Sequence, residues 1–150
     1  MPQSLSSVTV HIIFSTKDRV PFLCLHIRDE LFAYLSTVIR NSGSIAHRIG
    51  GTEDHIHLAV SVGRTIAISN LVEHIKVTTS RWIKTKDSTL STLSWQRGYA
   101  ALSLRTSELP GLVLYIDAQS DHHRKISFME EYLALLDECG VEYDRRYMFD

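Results

Sequence analysis

The sequence predicts an α+β fold in which a four-stranded antiparallel sheet follows the βαββαβ order of ferredoxin-like domains. Two kinds of pattern lead to this prediction. Apolar residues alternate in four short stretches, and they recur every three to four residues in the stretches between them. A chain of 150 residues is long enough for one hydrophobic core, and no internal repeat or low-complexity segment divides it. We therefore expect residues 1–150 to form a single domain.

The strands are predicted in short stretches that are rich in β-branched residues and in which apolar residues recur at every second position. The clearest is VTVHIIF at residues 8–14, in which Val10 and Ile12 share one face and His11 lies on the other. The other strands are expected at residues 45–49, 55–62 and 99–104. In this topology the first and third strands are neighbours at the centre of the sheet.

Two amphipathic helices are predicted between the strands. The first carries its apolar face at four positions and ends near the glycine at position 43: Ile27, Leu31, Leu35 and Val38. The second carries its apolar face at six positions: Ile68, Leu71, Val72, Ile75, Thr79 and Trp82. Both helices should cover the same face of the sheet, which leaves the opposite face for the C-terminal part of the chain.

Composition narrows the function without defining it. Apolar residues make up 44% and charged residues 22% of the chain, as in ordinary globular proteins. No apolar run approaches the roughly 18 residues of a membrane span, and the N-terminal residues lack the pattern of a signal peptide. With two widely separated cysteines, we expect a reduced protein of the cytoplasm. The net charge of −1 does not by itself suggest nucleic-acid binding.

Two histidines interrupt the third strand, in the stretch EDHIHLAV. Because strand side chains alternate between faces, His55 and His57 should lie side by side on the face that points away from the two helices. His11, on the neighbouring strand, should face the same side. Such a pair alone is common by chance and fits ordinary half-exposed strand histidines. It becomes specific only if a third ligand and a reactive group lie nearby.

The C-terminal part offers both. A helix over about residues 107–124 is predicted from the possible N-cap Ser107 and from Pro110 in its first turn. Tyr115 and Gln119 share a face of this helix, His122 continues the stripe, and His123 lies one turn beyond Gln119. A second helix is predicted over about residues 128–139. A polar stripe of this kind needs polar surroundings, which the histidine face would provide, although a single helical tyrosine is more often a core aromatic.

This combination suggests phosphoryl chemistry. Two neutral imidazoles and an amide oxygen leave a divalent ion its full charge and open positions, so that it can polarise a phosphoryl oxygen. A tyrosine hydroxyl is a nucleophile that can form a covalent phosphotyrosine. Because that ester retains the energy of the phosphodiester, strands could be rejoined without ATP. The residues therefore point to DNA nicking and strand transfer.

Several blocks of the chain resemble the single-tyrosine HUH transposases of the insertion-sequence-200-like type, in which two histidines flank a hydrophobic residue. The blocks are HIIFSTKDRVPF, GGTEDHIHLAVSV, IKVTTSRWIK, WQRGYAALSL and YIDAQSDHHRKISFMEEYLALLDECGVEYDRRYMFD, in that order along nearly the whole chain.

The resemblance implies a role for each candidate. Tyr115 would be the nucleophile that takes the 5′ phosphate, and His55, His57 and Gln119 would bind Mg²⁺ or Mn²⁺. Three histidines remain as possible additional site residues: His11, His122 and His123. The expected partners are single-stranded DNA, with hairpins at the ends of the element, and a second copy of the chain. Whether Tyr115 acts within its own subunit or in the partner stays open.

Positively charged residues are the candidate phosphate contacts. They are Lys17, Arg19, Lys76, Arg81, Lys84 and Arg97, with Arg124 and Lys125 as further cations. Three aromatic residues are candidates for stacking on bases, with core packing favoured for the first: Trp82, Trp95 and Tyr99.

Two other functions remain open. One is a non-catalytic single-strand-binding module, since an open sheet of this topology can bind nucleic acid. The other is a metal-dependent hydrolase that uses His55, His57 and His123 around zinc, in which Tyr115 would be dispensable.

Overall fold

The computed structural model describes residues 2–123 and 125–149. Its centre is one antiparallel sheet of four strands, whose spatial order is β2-β3-β1-β4. The strands are β1 (Thr9–Ser15), β2 (Ile45–Gly51), β3 (His55–Ser61) and β4 (Ala100–Leu104). The predicted ferredoxin-like α+β fold is therefore confirmed, with β1 and β3 side by side at the centre.

Two long helices cover one face of the sheet, α1 (Leu25–Asn41) and α2 (Ile68–Lys86). They bury their apolar stripes against the alternate residues of the central strands, which include Ile12, Ile56 and Leu58. This layer holds the main hydrophobic core. The alternation in β1 and β3 therefore sends every second side chain into the core and the remaining ones to the opposite face.

The opposite face is covered by α3 (Leu109–Asp117), α4 (Gln119–His122) and α5 (Phe128–Glu138). A second, smaller cluster of buried apolar residues forms here, where Ile13 and Leu102 of the sheet meet Phe128 and Tyr132 of α5. Ser127 begins α5 as its N-cap, and its hydroxyl accepts a hydrogen bond from the backbone N–H of Glu130.

The helix predicted to carry Tyr115 is broken in the structure. The sequence suggested a single helix over about residues 107–124, but the chain leaves the helical path at Ala118, whose φ of −88° and ψ of 8° redirect it. Tyr115 therefore lies at the end of α3, whereas Gln119 begins α4. Helical spacing cannot reveal such a break, because Ala118 has a high helix propensity and the bend depends on tertiary contacts. Arg124, the predicted last residue, lies outside the described residues.

A glycine fixes how closely α3 approaches the sheet. A Cβ atom on Gly50 of β2 would lie 2.6 Å from Cγ2 of Ile116 and 3.0 Å from its carbonyl oxygen. The absence of a side chain at this position lets α3 lie against the strand. In the adjoining turn, a Cβ atom on Gly51 would lie 2.2 Å from the carbonyl oxygen of His55. Gly50 therefore allows the close approach of α3 to β2, and Gly51 allows the tight turn into β3.

Among residues 2–123 and 125–149, no helix has the length and apolar character needed to cross a membrane. Cys24 and Cys139 are exposed free thiols.

Candidate active site

The two strand histidines lie where the alternation placed them. Both His55 and His57 are fully buried, on the face away from α1 and α2. The register of the sheet sets Ile13 opposite His57, and His11, two residues before Ile13 in β1, lies on the same face. The predicted juxtaposition of the three imidazoles is present in the structure.

A carboxylate from α5 lies at the centre of the cluster. Glu131 is only 2% exposed. Its Oε1 atom lies 3.2 Å from Nε2 of His57 and 3.0 Å from Nε2 of His123. Its Oε2 atom accepts hydrogen bonds from the hydroxyl of Tyr115 and, at 2.9 Å, from Nε2 of Gln119. One oxygen of this side chain therefore faces the imidazoles and the other faces the phenol.

The sequence analysis missed Glu131, although a signal was present. Glu131 lies three residues after Phe128 and one before Tyr132, so it falls within the buried stripe of α5. An acidic residue on the buried face of an amphipathic helix needs partners of its own. The pattern at the start of this helix instead predicted a capping box between Ser127 and the neighbouring Glu130, which faces solvent.

Gln119 and His123 complete the ring of polar atoms. Oε1 of Gln119 lies 2.9 Å from Nε2 of His55 and 3.0 Å from Nε2 of His123. Gln119 is 1% exposed, so its amide is committed to this cluster. The break at Ala118 therefore leaves both Tyr115 and Gln119 directed at the site, as the sequence predicted from an unbroken helix.

The imidazoles of His55 and His123 each have one nitrogen that faces Gln119 and one that faces away from it. The partner of the nitrogen that faces away determines whether the other nitrogen carries a proton. Nδ1 of His55 lies 2.7 Å from Oδ1 of Asp54, and Nδ1 of His123 lies 3.0 Å from the carbonyl oxygen of Ile126. Both partners are acceptors, so each Nδ1 carries a proton. If the ring is neutral, its Nε2 carries a lone pair and no proton. Both Nε2 atoms nevertheless face the amide oxygen of Gln119, which is also an acceptor. These lone pairs require either further protons or a cation between them.

The separations of the inner atoms fit a cation. Ligands on adjacent corners of an octahedron with bonds of about 2.1 Å lie roughly 3.0 Å apart. The contacts of Gln119 and Glu131 with the three imidazoles that face them are 2.9 to 3.2 Å long, with a longer separation of 3.7 Å between His55 and Glu131. His55, His57 and Glu131 form a group that could hold a metal ion.

His11 supports the cluster from behind. Its Nε2 lies 2.7 Å from Nδ1 of His57, the nitrogen that points away from Glu131. When both imidazoles are neutral, one of these nitrogens donates and the other accepts, so the tautomer of His57 is coupled to that of His11. The arrangement places His11 in the position of an outer partner that orients a ligand.

The rings of His11 and His57 are neutral near pH 7. Burial, and after it the nearby His57, lowers the pKa of His11 to about 3. Burial likewise lowers the pKa of His57 to about 4, although Glu131 opposes the shift. Burial alone would raise the pKa of Glu131, but the hydrogen bonds from His123 and His57 outweigh it and hold this pKa well below its usual range. The neutral imidazole of His57 beside the ionised carboxylate of Glu131 is a suitable pair of metal ligands.

Tyr115 closes the site on its outer side. It is half-buried, and its ring meets those of His57 and His122 edge to face. Burial, and after it the hydrogen bond to Glu131, raises the pKa of the phenol. The hydroxyl therefore remains protonated at neutral pH and must lose its proton to become a nucleophile. His122 lies further out, with Nε2 3.4 Å from Oε2 of Glu131.

The candidate phosphate contacts lie apart from this cluster. Four of the cations are exposed: Lys17, Arg81, Lys84 and Arg97. Arg19 lies over the ring of Phe149. Lys76 donates hydrogen bonds to the carbonyl oxygens of Gln96, Arg97 and Gly98, which leaves it little capacity for a phosphate.

The candidate stacking aromatics are committed to packing. Trp82 stacks on Tyr34, and Trp95 is buried against Phe14. Tyr99 is half-buried, and the ammonium of Lys76 lies 5.9 Å from the centre of its ring.

Comparison with known proteins identifies a family. The sequence profile of the family described as "Transposase IS200 like" matches residues 4–119. No curated protein gives a significant match to the chain.

Two solved structures share the fold. A crystal structure of a candidate transposase from Deinococcus radiodurans R1 superposes with a TM-score of 0.61 at 20% identity, covering 79% of this chain and 98% of that one. A REP-associated tyrosine transposase bound to a REP hairpin superposes with a TM-score of 0.62 at 16% identity, covering 84% of this chain and 74% of that one.

Proposed function

The chain belongs to the IS200-like transposase family, and from this premise we propose that it cleaves and rejoins single-stranded DNA through a 5′-phosphotyrosine on Tyr115, with a divalent metal ion. The observation that carries the proposal is the double role of Glu131. One of its oxygens lies among the imidazoles, and the other holds the hydroxyl of Tyr115. A nucleophile and a candidate metal site are thereby joined through one side chain.

We propose that His55, His57 and Glu131 hold the ion, with Gln119 as a further oxygen ligand and His123 beside it. The oxygen donors of Glu131 and Gln119 suit Mg²⁺ or Mn²⁺, whereas the imidazoles also suit Zn²⁺. When bound, such an ion polarises a phosphoryl oxygen of the scissile phosphate and stabilises the charge that develops there.

The protein's own residues would carry the transfer. The hydroxyl oxygen of Tyr115 attacks phosphorus while its proton passes towards Oε2 of Glu131. The new bond joins the tyrosine oxygen to phosphorus, the bond from phosphorus to the 3′ oxygen breaks, and that oxygen takes up a proton as a free 3′ hydroxyl. Rejoining reverses these steps when a 3′ hydroxyl attacks the phosphotyrosine.

The proposed partners are DNA hairpins at the ends of an element and a second copy of the chain. A related structure was determined with a REP hairpin, which supports a hairpin as the bound form of the DNA. Helix α3 supports self-association, because it is apolar and yet leaves Leu114 70% exposed. Tyr115 contacts Glu131 of its own chain, so we propose action within one subunit.

A covalent-adduct assay tests the proposal. Single strands that carry a 3′ label and tile the DNA flanking the gene are incubated with the protein and Mn²⁺ or Mg²⁺, and label retained on denatured protein is measured. We expect an adduct that requires the ion and disappears in Tyr115→Phe and His57→Ala. Tyr147→Phe, which alters a tyrosine that is 65% exposed, is the matched control and should retain the adduct. An adduct that persists in Tyr115→Phe would overturn the assignment.

A metal-dependent hydrolase is the second candidate, and the presence of Glu131 favours it. Two histidines and one glutamate are a ligand set of catalytic zinc sites. In such an enzyme Tyr115→Phe would retain ester hydrolysis and no covalent adduct would form. A non-catalytic binding module would bind single strands with neither reaction.

A further inference from the structure

A positively charged groove runs along α2, on the side of the molecule that the candidate active site does not occupy. Its volume is about 410 Å³, and its walls come from α2 and from residues 93–97. Arg81 and Lys84 line it from the helix and Arg97 lines it from the loop. No acidic residue lines it within the described part of the chain.

Within the described residues, the side chains of these three cations have no partners. The arginines and the lysine are all exposed, and no described residue forms an ion pair or a hydrogen bond with the side chain of Arg81, Lys84 or Arg97. Other cations of this chain are committed, such as Lys76 to loop carbonyls and Arg48 to Asp117. In a protein whose net charge is −1, three unpaired cations around one groove are a local excess of positive charge.

A buried donor in the same wall also lacks a partner. Trp95 lines the groove, and its indole N–H is buried without a hydrogen-bond acceptor among the described residues. Two hydroxyl side chains, of Ser80 and Ser94, line the groove as well. Unpaired N–H groups, hydroxyls and cations are all donors, so the ligand they suit is rich in acceptors and negatively charged.

The groove adjoins the end of the sheet where the histidine pair begins. Trp95 pairs with Thr16 in an isolated β-bridge, and the backbone N–H of Thr16 donates to the carbonyl oxygen of Asp54, next to His55. Lys76 holds the adjoining loop through three carbonyl oxygens, so the wall is well ordered. The groove is therefore linked through Thr16 to the turn that precedes β3.

We propose that this groove binds the phosphate backbone of the DNA outside the segment that is cut. The inference rests on the proposed function for the identity of the polyanion. Trp95 is largely buried, and apart from Val77 the exposed side chains that line the groove are cations and a hydroxyl. Such a groove reads charge and not base sequence. Arg81, Lys84 and Arg97 each contact a phosphate, and Lys76 shapes the wall.

The test is a binding titration of a fluorescein-labelled DNA hairpin with a single-stranded extension, at several salt concentrations. All proteins carry Tyr115→Phe, so that cleavage contributes nothing to the signal. The test variant adds Arg81→Gln, Lys84→Gln and Arg97→Gln. The matched control adds Arg40→Gln, Arg64→Gln and Arg105→Gln, which removes the same charge from exposed arginines that do not line the groove.

We expect the groove variant to bind at least about tenfold more weakly, and its plot of log affinity against log salt to lose about 2 to 3 units of slope, since each phosphate contact contributes roughly 0.9. The three single variants should each lose about one unit. The control should bind like the parent. Equal binding and equal slopes in both variants would overturn the proposal and would leave an acidic protein surface as the groove's ligand.

The two proposals fail separately. If the adduct assay finds no phosphotyrosine but the groove variant still loses salt dependence, the proposal that the groove binds DNA is supported. The proposal that Tyr115 cleaves DNA is then wrong. If the adduct forms and the salt slope is unchanged, the groove proposal alone is wrong.

Discussion

The two faces of the central sheet are built from the same strands but are stabilised by different interactions. On one face, Ile12, Ile56 and Leu58 pack against two long helices and exclude water. On the other, His11, His57 and their neighbours meet Glu131 in a network of hydrogen bonds. The first face is stabilised by buried apolar area, which tolerates exchanges between apolar side chains of similar volume. The second depends on directed contacts, each of which leaves an unpaired buried group when it is lost.

Leu58→Ala should have the largest effect on stability. Leu58 is fully buried on the helix-covered face, so its truncation should lower the free energy of unfolding by about 2–5 kcal/mol. Urea unfolding monitored by circular dichroism measures this. Leu5→Ala, at a leucine that is 81% exposed, is the matched control and should change it by less than about 0.5 kcal/mol. A small effect at Leu58 would contradict the view that this face supplies most of the stability.

Metal addition should stabilise the protein through the histidine face. At a concentration of 100 times its Kd, a divalent ion that binds the folded protein raises the free energy of unfolding by about 2.7 kcal/mol. EDTA should abolish this gain. Glu131→Gln should weaken ion binding at least tenfold, a loss of the order reported for partners of metal ligands. Glu130→Gln removes the adjacent exposed carboxylate and should bind the ion like the parent; equal loss in both variants would exclude Glu131 as a specific ligand.

Gly50→Ala should disturb the histidine face from outside it. The added Cβ would lie 2.6 Å from Cγ2 of Ile116, so α3 must shift, at a cost of about 1–3 kcal/mol. Because α3 carries Tyr115, adduct formation should fall as well. Gly111→Ala is the control within α3 itself, where a Cβ meets nothing within 4 Å. That change should be neutral or stabilising by about 0.5–1 kcal/mol, and a similar loss at both glycines would argue against a close-approach requirement.

Ser127→Ala should have the smallest effect. It removes the N-cap of α5, which costs about 1 kcal/mol. Since Glu131 lies in the first turn of this helix, fraying should also weaken ion binding modestly, as isothermal titration would show. Ser127→Asp keeps a capping side chain and should restore both quantities. Normal ion binding in Ser127→Ala would mean that Glu131 is held by its own contacts and not by the cap.

The sequence predicted the helix-covered face better than the site. Alternation in β1 and β3 and the period of α1 and α2 are local patterns, and they determine the sheet order and the direction of His55 and His57. Glu131 was missed because its role depends on how α5 packs across the sheet, which no local pattern encodes. The break at Ala118 was missed for the same reason. Lys76 was predicted as a phosphate contact from charge alone, whereas the loop carbonyls that bind it come from distant residues.

The pairing of β1 with β3 limits which insertions and deletions this chain can accept during evolution. Because side chains alternate along a strand, inserting or deleting one residue within β3 would exchange the positions of His57 and Leu58, placing an imidazole in the apolar layer and a leucine against Glu131. Such a change would damage both faces at once. Substitutions can therefore adjust either face on its own, but changes in strand length cannot, and we expect length variation among related chains to fall in the connecting loops, such as residues 87–99.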